Sequence, residues 1–260
     1  RGLWAFHYNR PASQPKNILF IFAAFMGQKK LIRFNAIKAF SNVLEYPDNM
    51  QGQWSLFFKN NNPIILELAC GKGEYTVGLS KLFKARNFIG IDIKGNRIWR
   101  GAKTALEGNL HNAAFLRTEI DKILNYFASN EVSEIWITFP DPQLRSGKLK
   151  KRLTHPKFLR LYQQILQPNG TVHLKTDSPD LYNFTKTIID LYHLELLVDY
   201  VDTYAQNNIA EELKIKTHYE SLDIAQSNRI HYLQFRINKD LPIELDEVLK
   251  KKIFDNASKK

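Results

Sequence analysis

The sequence predicts an α/β fold: a mostly parallel seven-stranded sheet with an antiparallel edge and helices on both faces. Three observations carry this. Five short runs, 64-IILELA-69, 88-FIGIDI-93, 114-AFLRT-118, 134-EIWITF-139 and 171-TVHLKT-176, are nearly continuous in apolar residues, as strands covered on both faces are. Helix-length amphipathic stretches alternate with them, and that alternation implies right-handed βαβ units and parallel pairing. Two later strand-like runs, 194-LELLVDYV-201 and 231-HYLQFRI-237, close the pattern as an antiparallel edge.

The elements follow in order. Residues 1–25, RGLWAFHYNRPASQPKNILFIFAAF, contain one apolar run that is too short to span a bilayer. No cleavage site followed by mature extracellular composition marks it as a signal peptide. Met26-Gly-Gln-Lys-Lys reads as a natural start, so 1–25 are expected to be a non-native or disordered extension. Residues 26–55 form a basic lead-in with Lys29, Lys30, Arg33 and Lys38 and no acid before Glu45. The domain proper is expected over 56–245, with helices at 74–84, 96–107, 120–128, 156–167 and 179–192. The polar stretch 202–230 is too long for a tight hairpin and is read as a functional loop. Residues 246–260, with lysines at 250–252, 259 and 260, read as a solvated basic tail.

Composition narrows the partners. The 260 residues carry 37 Lys and Arg against 26 Asp and Glu, a formal charge of +11. Such an excess attracts polyanions, so nucleic acid or an anionic membrane surface is the expected partner class. Cys70 is the only cysteine, which excludes an internal disulfide framework or a polythiolate zinc site and fits a reducing cytoplasm. The seven histidines show none of the paired spacings typical of metal ligands, so no metal is expected.

Ligands of open α/β sheets bind outside the carboxyl ends of the strands, and here those ends are acidic. The first four runs lead into Glu67, Asp92, Glu119 and Asp141, and the fifth into Thr176-Asp177. A Gly71-x-Gly73 turn between strand and helix lets backbone approach a ligand and offers free N–H groups; the bland alternative is an ordinary tight turn. Asp92 can accept hydrogen bonds from ribose hydroxyls, which NAD and S-adenosylmethionine both present. The dinucleotide fingerprint wants a third glycine where this chain has Thr76. Glu67 in the turn suits a cofactor with a sulfonium and an amino group better than a pyrophosphate. The balance favours S-adenosylmethionine. After Asp141, seven Lys or Arg occur up to Arg160, read as a rim that positions phosphates without reading sequence.

These residues resemble the bacterial tRNA (guanine-N7-)-methyltransferase family, Rossmann-like class I enzymes dependent on S-adenosylmethionine. The match runs from about Leu66 to Phe235. LELACGKGEY resembles the family's first motif and FIGIDIKGNR its acid after strand two; Glu119 in FLRTEI aligns with its third acid. FPDPQLRSGKLKKRL resembles its diagnostic Phe-x-Asp-Pro-Trp segment, and Thr176-Asp177 its Thr-Asp pair. Thr217-His218-Tyr219-Glu220 resembles its late Thr-x-Phe/Tyr-Glu motif. The chain departs at Gln143, where tryptophan is usual, at Ala69, where glycine is frequent, and at Ser221.

The resemblance implies methyl transfer to a tRNA guanine N7, at variable-loop position 46. It implies Asp141 as the catalytic carboxylate and Glu67, Gly71, Gly73, Asp92, Glu119 and Asp141 around the cofactor. Arg145, Asp177, Thr217, His218, Tyr219 and Glu220 are implied at the substrate. Guanine N7 carries a free lone pair, so alignment and electrostatics, not proton abstraction, are what the enzyme must supply. Cys70 is expected only to pack, and His155 and His218 to lie at the surface or contact phosphates. The rival readings are an exocyclic-amine methyltransferase, whose Asp-Pro-Pro-aromatic motif Gln143 and Leu144 break, a nonenzymatic RNA-binding protein, and a nicotinamide dehydrogenase.

Overall fold

The apolar runs become the strands of one sheet in a computed structural model that describes residues 28, 31–218, 220–222 and 228–257. The strands are β1 (Val43–Glu45), β2 (Ile64–Leu68), β3 (Asn87–Asp92), β4 (Ala113–Arg117), β5 (Val132–Thr138), β6 (Leu166–Thr176), β7 (Glu195–Tyr200) and β8 (His231–Arg236). They lie in the order β1-β4-β3-β2-β5-β6-β8-β7. All pairs are parallel except those of β8, which runs antiparallel to β6 and to β7. Among the described residues the sheet therefore has eight strands where seven were expected. The addition is β1, three residues from the basic lead-in that pair with β4 in the register Val43↔Phe115; a run that short carries no readable periodicity.

The helices that follow β1 are α1 (Trp54–Phe58), α2 (Glu74–Leu82), α3 (Gly95–Glu107), α4 (Pro156–Ile165), α5 (Pro179–Leu191) and α6 (Leu245–Ala257). Their starts are written locally. Both α4 and α5 begin on a proline, which suits the first turn because its missing N–H has no helical partner. Ser178 caps α5 by accepting from the Leu181 N–H at 3.3 Å. His155, expected at the surface, is buried and caps α4 by accepting from the Lys157 N–H at 3.1 Å. The helix expected at 120–128 is instead a 3-10 segment, Ile120–Asn125.

Alternation along β2 sets the two faces. Leu66 and Leu68 enter the large core with Trp54, Leu159 and Ile188, where burial of each such leucine stabilises the fold by about 1.5–3 kcal/mol. Ile65 packs on the other face with Tyr75, Leu79 and Trp136, and Glu67, two residues on, shares that face. The tail read as solvated is α6: its lysines 250–252 do face solvent, but Leu249 is buried in the core and Asp246 meets Arg160 at 2.6 Å. An isolated Leu-x₃-Leu spacing amid lysines hides that anchoring.

Candidate active site

The strand order reverses between β2 and β5, and a cleft of about 740 Å³ opens at their carboxyl ends. A crevice at such a switch point is where open α/β sheets bind ligands. Glu67, Asp92, Asp141 and Asp177 all line this one cleft, together with Glu74, Lys94, Arg97, Phe139 and Thr217. Four of the acids expected at the strand ends therefore share one cleft, and Glu119 does not line it.

Glu67 bridges the switch point. Its Oε2 accepts from the Thr76 N–H at 2.8 Å and from the Thr76 hydroxyl, and its Oε1 accepts from the Thr138 hydroxyl at 2.8 Å. The carboxyl thus joins β2, α2 and β5, and Thr76, the departure from a dinucleotide glycine, is its principal donor. Burial pushes its pKa up to about 7 against these hydrogen bonds. The next acid is held differently. Asp92 accepts from the Gly71 N–H at 3.0 Å and, through its other oxygen, from the Lys94 N–H at 2.8 Å, so β3 fixes the turn after β2. That turn is left-handed at Ala69 (φ +55°), Gly71 (+57°) and Gly73 (+69°). Gly73 has a packing reason: a Cβ there would lie 2.4 Å from the Phe115 ring. Cys70 lines the cleft, and burial raises its pKa well above the usual thiol range, so the thiol stays protonated and packs.

The opposite wall is looser. Asp141 is exposed, with Oδ1 accepting from the Gln143 N–H at 2.9 Å. Its loop holds two residues at positive φ, Phe139 (+47°) and Gln143 (+48°), and the Phe139 N–H donates to the Lys175 carbonyl at 2.8 Å. The cations that follow divide into two sets. Arg145, Lys148, Lys150 and Lys151 are exposed on and before the 3-10 segment Ser146–Lys151. The other three, counted with the rim from sequence, are structural: Arg152 is buried with its guanidinium 4.5 Å over Phe184, Lys157 pairs with Asp121, and Arg160 binds Asp246.

Several expected residues lie away from the cleft wall. Glu119 pairs with Lys122 at 2.6 Å, and neither it, Gly73, Arg145, His218 nor Glu220 is among the lining residues. His218 is exposed, its N–H donating to Glu74 at 3.3 Å. Glu220 has a side chain only 5% exposed and meets Lys175 at 3.1 Å. Tyr219 lies outside the described residues. Sequence reasoning passed over Glu74, Thr138 and Lys175. The signal for Lys175 was visible: a lysine inside a strand read as buried on both faces.

The fold matches that of solved methyltransferases. The 16S rRNA methyltransferase KamB superposes with a TM-score of 0.54 at 13% identity, covering 74% of this chain and 94% of that one. The architecture is the class I, Rossmann-like methyltransferase fold. The family described as "Putative methyltransferase" matches residues 61–233. A tRNA (guanine-N(7)-)-methyltransferase of Christiangramia forsetii is 48% identical over 223 residues, 82% of this chain and 100% of the relative. One of Bacteroides thetaiotaomicron is 43% identical over 237 residues, 85% and 93% respectively. The chain belongs to the tRNA (guanine-N(7)-)-methyltransferase family.

Proposed function

We propose that this methyltransferase transfers the methyl group of S-adenosylmethionine to N7 of a tRNA guanine, at variable-loop position 46, in the cytoplasm. The observation that carries the reading is the acidic cleft itself. Six acidic side chains, Glu67, Glu74, Asp92, Asp141, Asp177 and Asp180, line one cavity on a chain of net charge +11, and exposed cations follow directly after Asp141. An acidic interior suits a cationic methyl donor and a guanine that becomes cationic, while the basic margin suits a phosphate backbone. Among the described residues no helix is long and apolar enough to cross a membrane, and no cluster of three metal-ligating side chains occurs.

The residues present fit S-adenosylmethionine. The cleft volume falls in the usual range for such ligands. Asp92 keeps lone pairs beyond those used by Gly71 and Lys94, enough to accept from ribose hydroxyls. When bound, the cofactor supplies an electrophilic methyl on a positively charged sulfur. The chain's own part is positioning and charge. Guanine N7 needs no deprotonation, so Asp141 serves as an oriented negative charge against the cation that forms on the base, with Asp177 beside it in the same cleft. Arg145, Lys148, Lys150 and Lys151 hold the tRNA backbone outside.

The test is incubation with methyl-labelled S-adenosylmethionine and unmodified tRNA transcript, followed by nucleoside identification. The expected product is N7-methylguanosine, whose glycosidic bond is alkali-labile. Label on an exocyclic amine, or cofactor that does not bind saturably, overturns the assignment.

A further inference from the structure

Lys175 is fully buried at the end of β6. An ammonium leaves water only against compensating acceptors, and all of these come from outside its own strand. Its Nζ donates to the Leu213 and Ile215 carbonyls, both at 2.9 Å, to Glu220 Oε2 at 3.1 Å and to the Tyr204 hydroxyl at 3.3 Å. The Tyr204 hydroxyl in turn donates to the other Glu220 oxygen. The rings of Tyr75, Phe139 and Tyr204 surround the ammonium at 5.5–5.7 Å, and burial lowers its pKa against the Glu220 charge.

Three of these acceptors belong to one stretch, 213–220, which carries Thr217 into the cleft. The Thr217 hydroxyl also accepts from the Glu220 N–H at 3.1 Å. Meanwhile the Lys175 carbonyl holds Phe139 at the root of the Asp141 loop. One residue therefore grips both walls of the substrate side, one through its backbone and one through its side chain. If the site served the core alone, an apolar side chain would fill it without a counter-ion.

We infer that Lys175 is a positioning residue for methyl transfer, a latch that fixes the segment carrying Thr217 against the Asp141 loop, with Glu220 as its anchor. The inference rests on the proposed tRNA methylation for its kinetic arm only. In Lys175→Met the side chain keeps its length and loses its charge, leaving Glu220 without its partner. The expected result is kcat lowered about 10- to 100-fold, with the dissociation constant for S-adenosylmethionine changed less than about twofold. Amide exchange over 211–218 should accelerate while β2 and β3 stay protected. In Lys175→Met/Glu220→Gln the stranded charge is gone, and amide exchange over 211–218 should slow again toward the wild-type rate.

A double variant whose exchange over 211–218 is as fast as that of the single one, or cofactor binding weakened in proportion to rate in Lys175→Met, overturns the latch. Should Lys175→Met fail to fold, Tyr204→Phe removes one strut at a partly exposed position. It is expected to lower kcat about threefold and speed exchange over 211–218, and unchanged values of both overturn the proposal. If wild-type protein transfers no methyl to tRNA, the functional reading fails by itself, and the exchange measurements still decide the latch.

Discussion

The two walls of the cleft are built on opposite plans. On the β2–β3 side the carboxylates are buried and each oxygen already has a donor: Glu67 between Thr76 and Thr138, Asp92 between Gly71 and Lys94. On the β5–β6 side Asp141 is exposed and held by a single hydrogen bond within its own loop. A site that grips a constant cofactor is served by a rigid, saturated half. A site that must admit a bulky polyanion needs its reactive charge within reach of solvent. Mutations should separate along the same line: the first wall should answer in stability and cofactor affinity, the second in rate.

The largest effect is expected at Asp141. Asp141→Asn keeps an oxygen to accept from Gln143 and removes only the charge, so the loop should hold its shape. Loss of one electrostatic contact of this type lowers kcat by ~10² to 10³. Both dissociation constants, for cofactor and for tRNA, should stay near wild type. Single-turnover rates with equilibrium binding check this. A variant that loses binding in step with rate would make Asp141 a structural residue and erase the contrast between the walls.

Glu67 sharpens the comparison from the other side. Its folded pKa near 7 lies above the ordinary 4.5 because burial disfavours the charged form. The native state therefore binds a proton more tightly than the unfolded chain, and Glu67's contribution is complete below about pH 4.5. It falls as pH rises through 7, by about 1.4 kcal/mol per unit and about 3 kcal/mol in all. His155 and His173 act in the opposite sense. Burial lowers them from 6.5 to about 4 and about 3, so their contribution is complete above 6.5 and is lost as pH falls. Between pH 4.5 and 6.5 the two histidines together gain about twice what Glu67 loses per unit, so wild-type stability should rise shallowly there and level off near pH 7. In Glu67→Gln the rise from pH 4.5 to 7 should steepen, as denaturant midpoints from pH 4 to 9 would reveal. An unchanged slope would mean Glu67 is charged at low cost.

How legible the molecule was in its sequence differs between the walls as well. The βαβ alternation and the acids at the strand ends were readable because buried strands are apolar throughout and Glu67 and Asp92 interrupt them visibly. The glycine turn was readable too, although Gly73 answers to Phe115 as much as to any ligand. The far wall was harder. Arg152, Lys157 and Arg160 look like their exposed neighbours in a string of letters; only Phe184, Asp121 and Asp246, brought in from distant segments, give them structural tasks. Glu220 and Lys175 are 45 residues apart, and no local pattern announces their contact. Short elements such as β1 and the Ile120–Asn125 segment escaped because periodicity needs length.

The smallest effect tests how far the rigid wall is strained. Ala69 lies in the left-handed region at φ +55° and lines the cleft, where its Cβ crowds the backbone at a cost on the order of 1 kcal/mol. Glycine removes that crowding but adds freedom to the unfolded chain, which offsets about 0.4–1 kcal/mol. Ala69→Gly should accordingly raise stability by at most about 0.5 kcal/mol. Ala69→Val, whose branched side chain tolerates positive φ worse than alanine does, should lose clearly more than that. Both are read by denaturant midpoints at constant m-value, with the cofactor dissociation constant of the glycine variant unchanged within about twofold because the Asp92 bond to Gly71 still sets the turn. If Ala69→Gly instead weakens cofactor binding severalfold, the turn owes its shape to the Ala69 side chain, and the saturated wall is less self-sufficient than its hydrogen bonds imply.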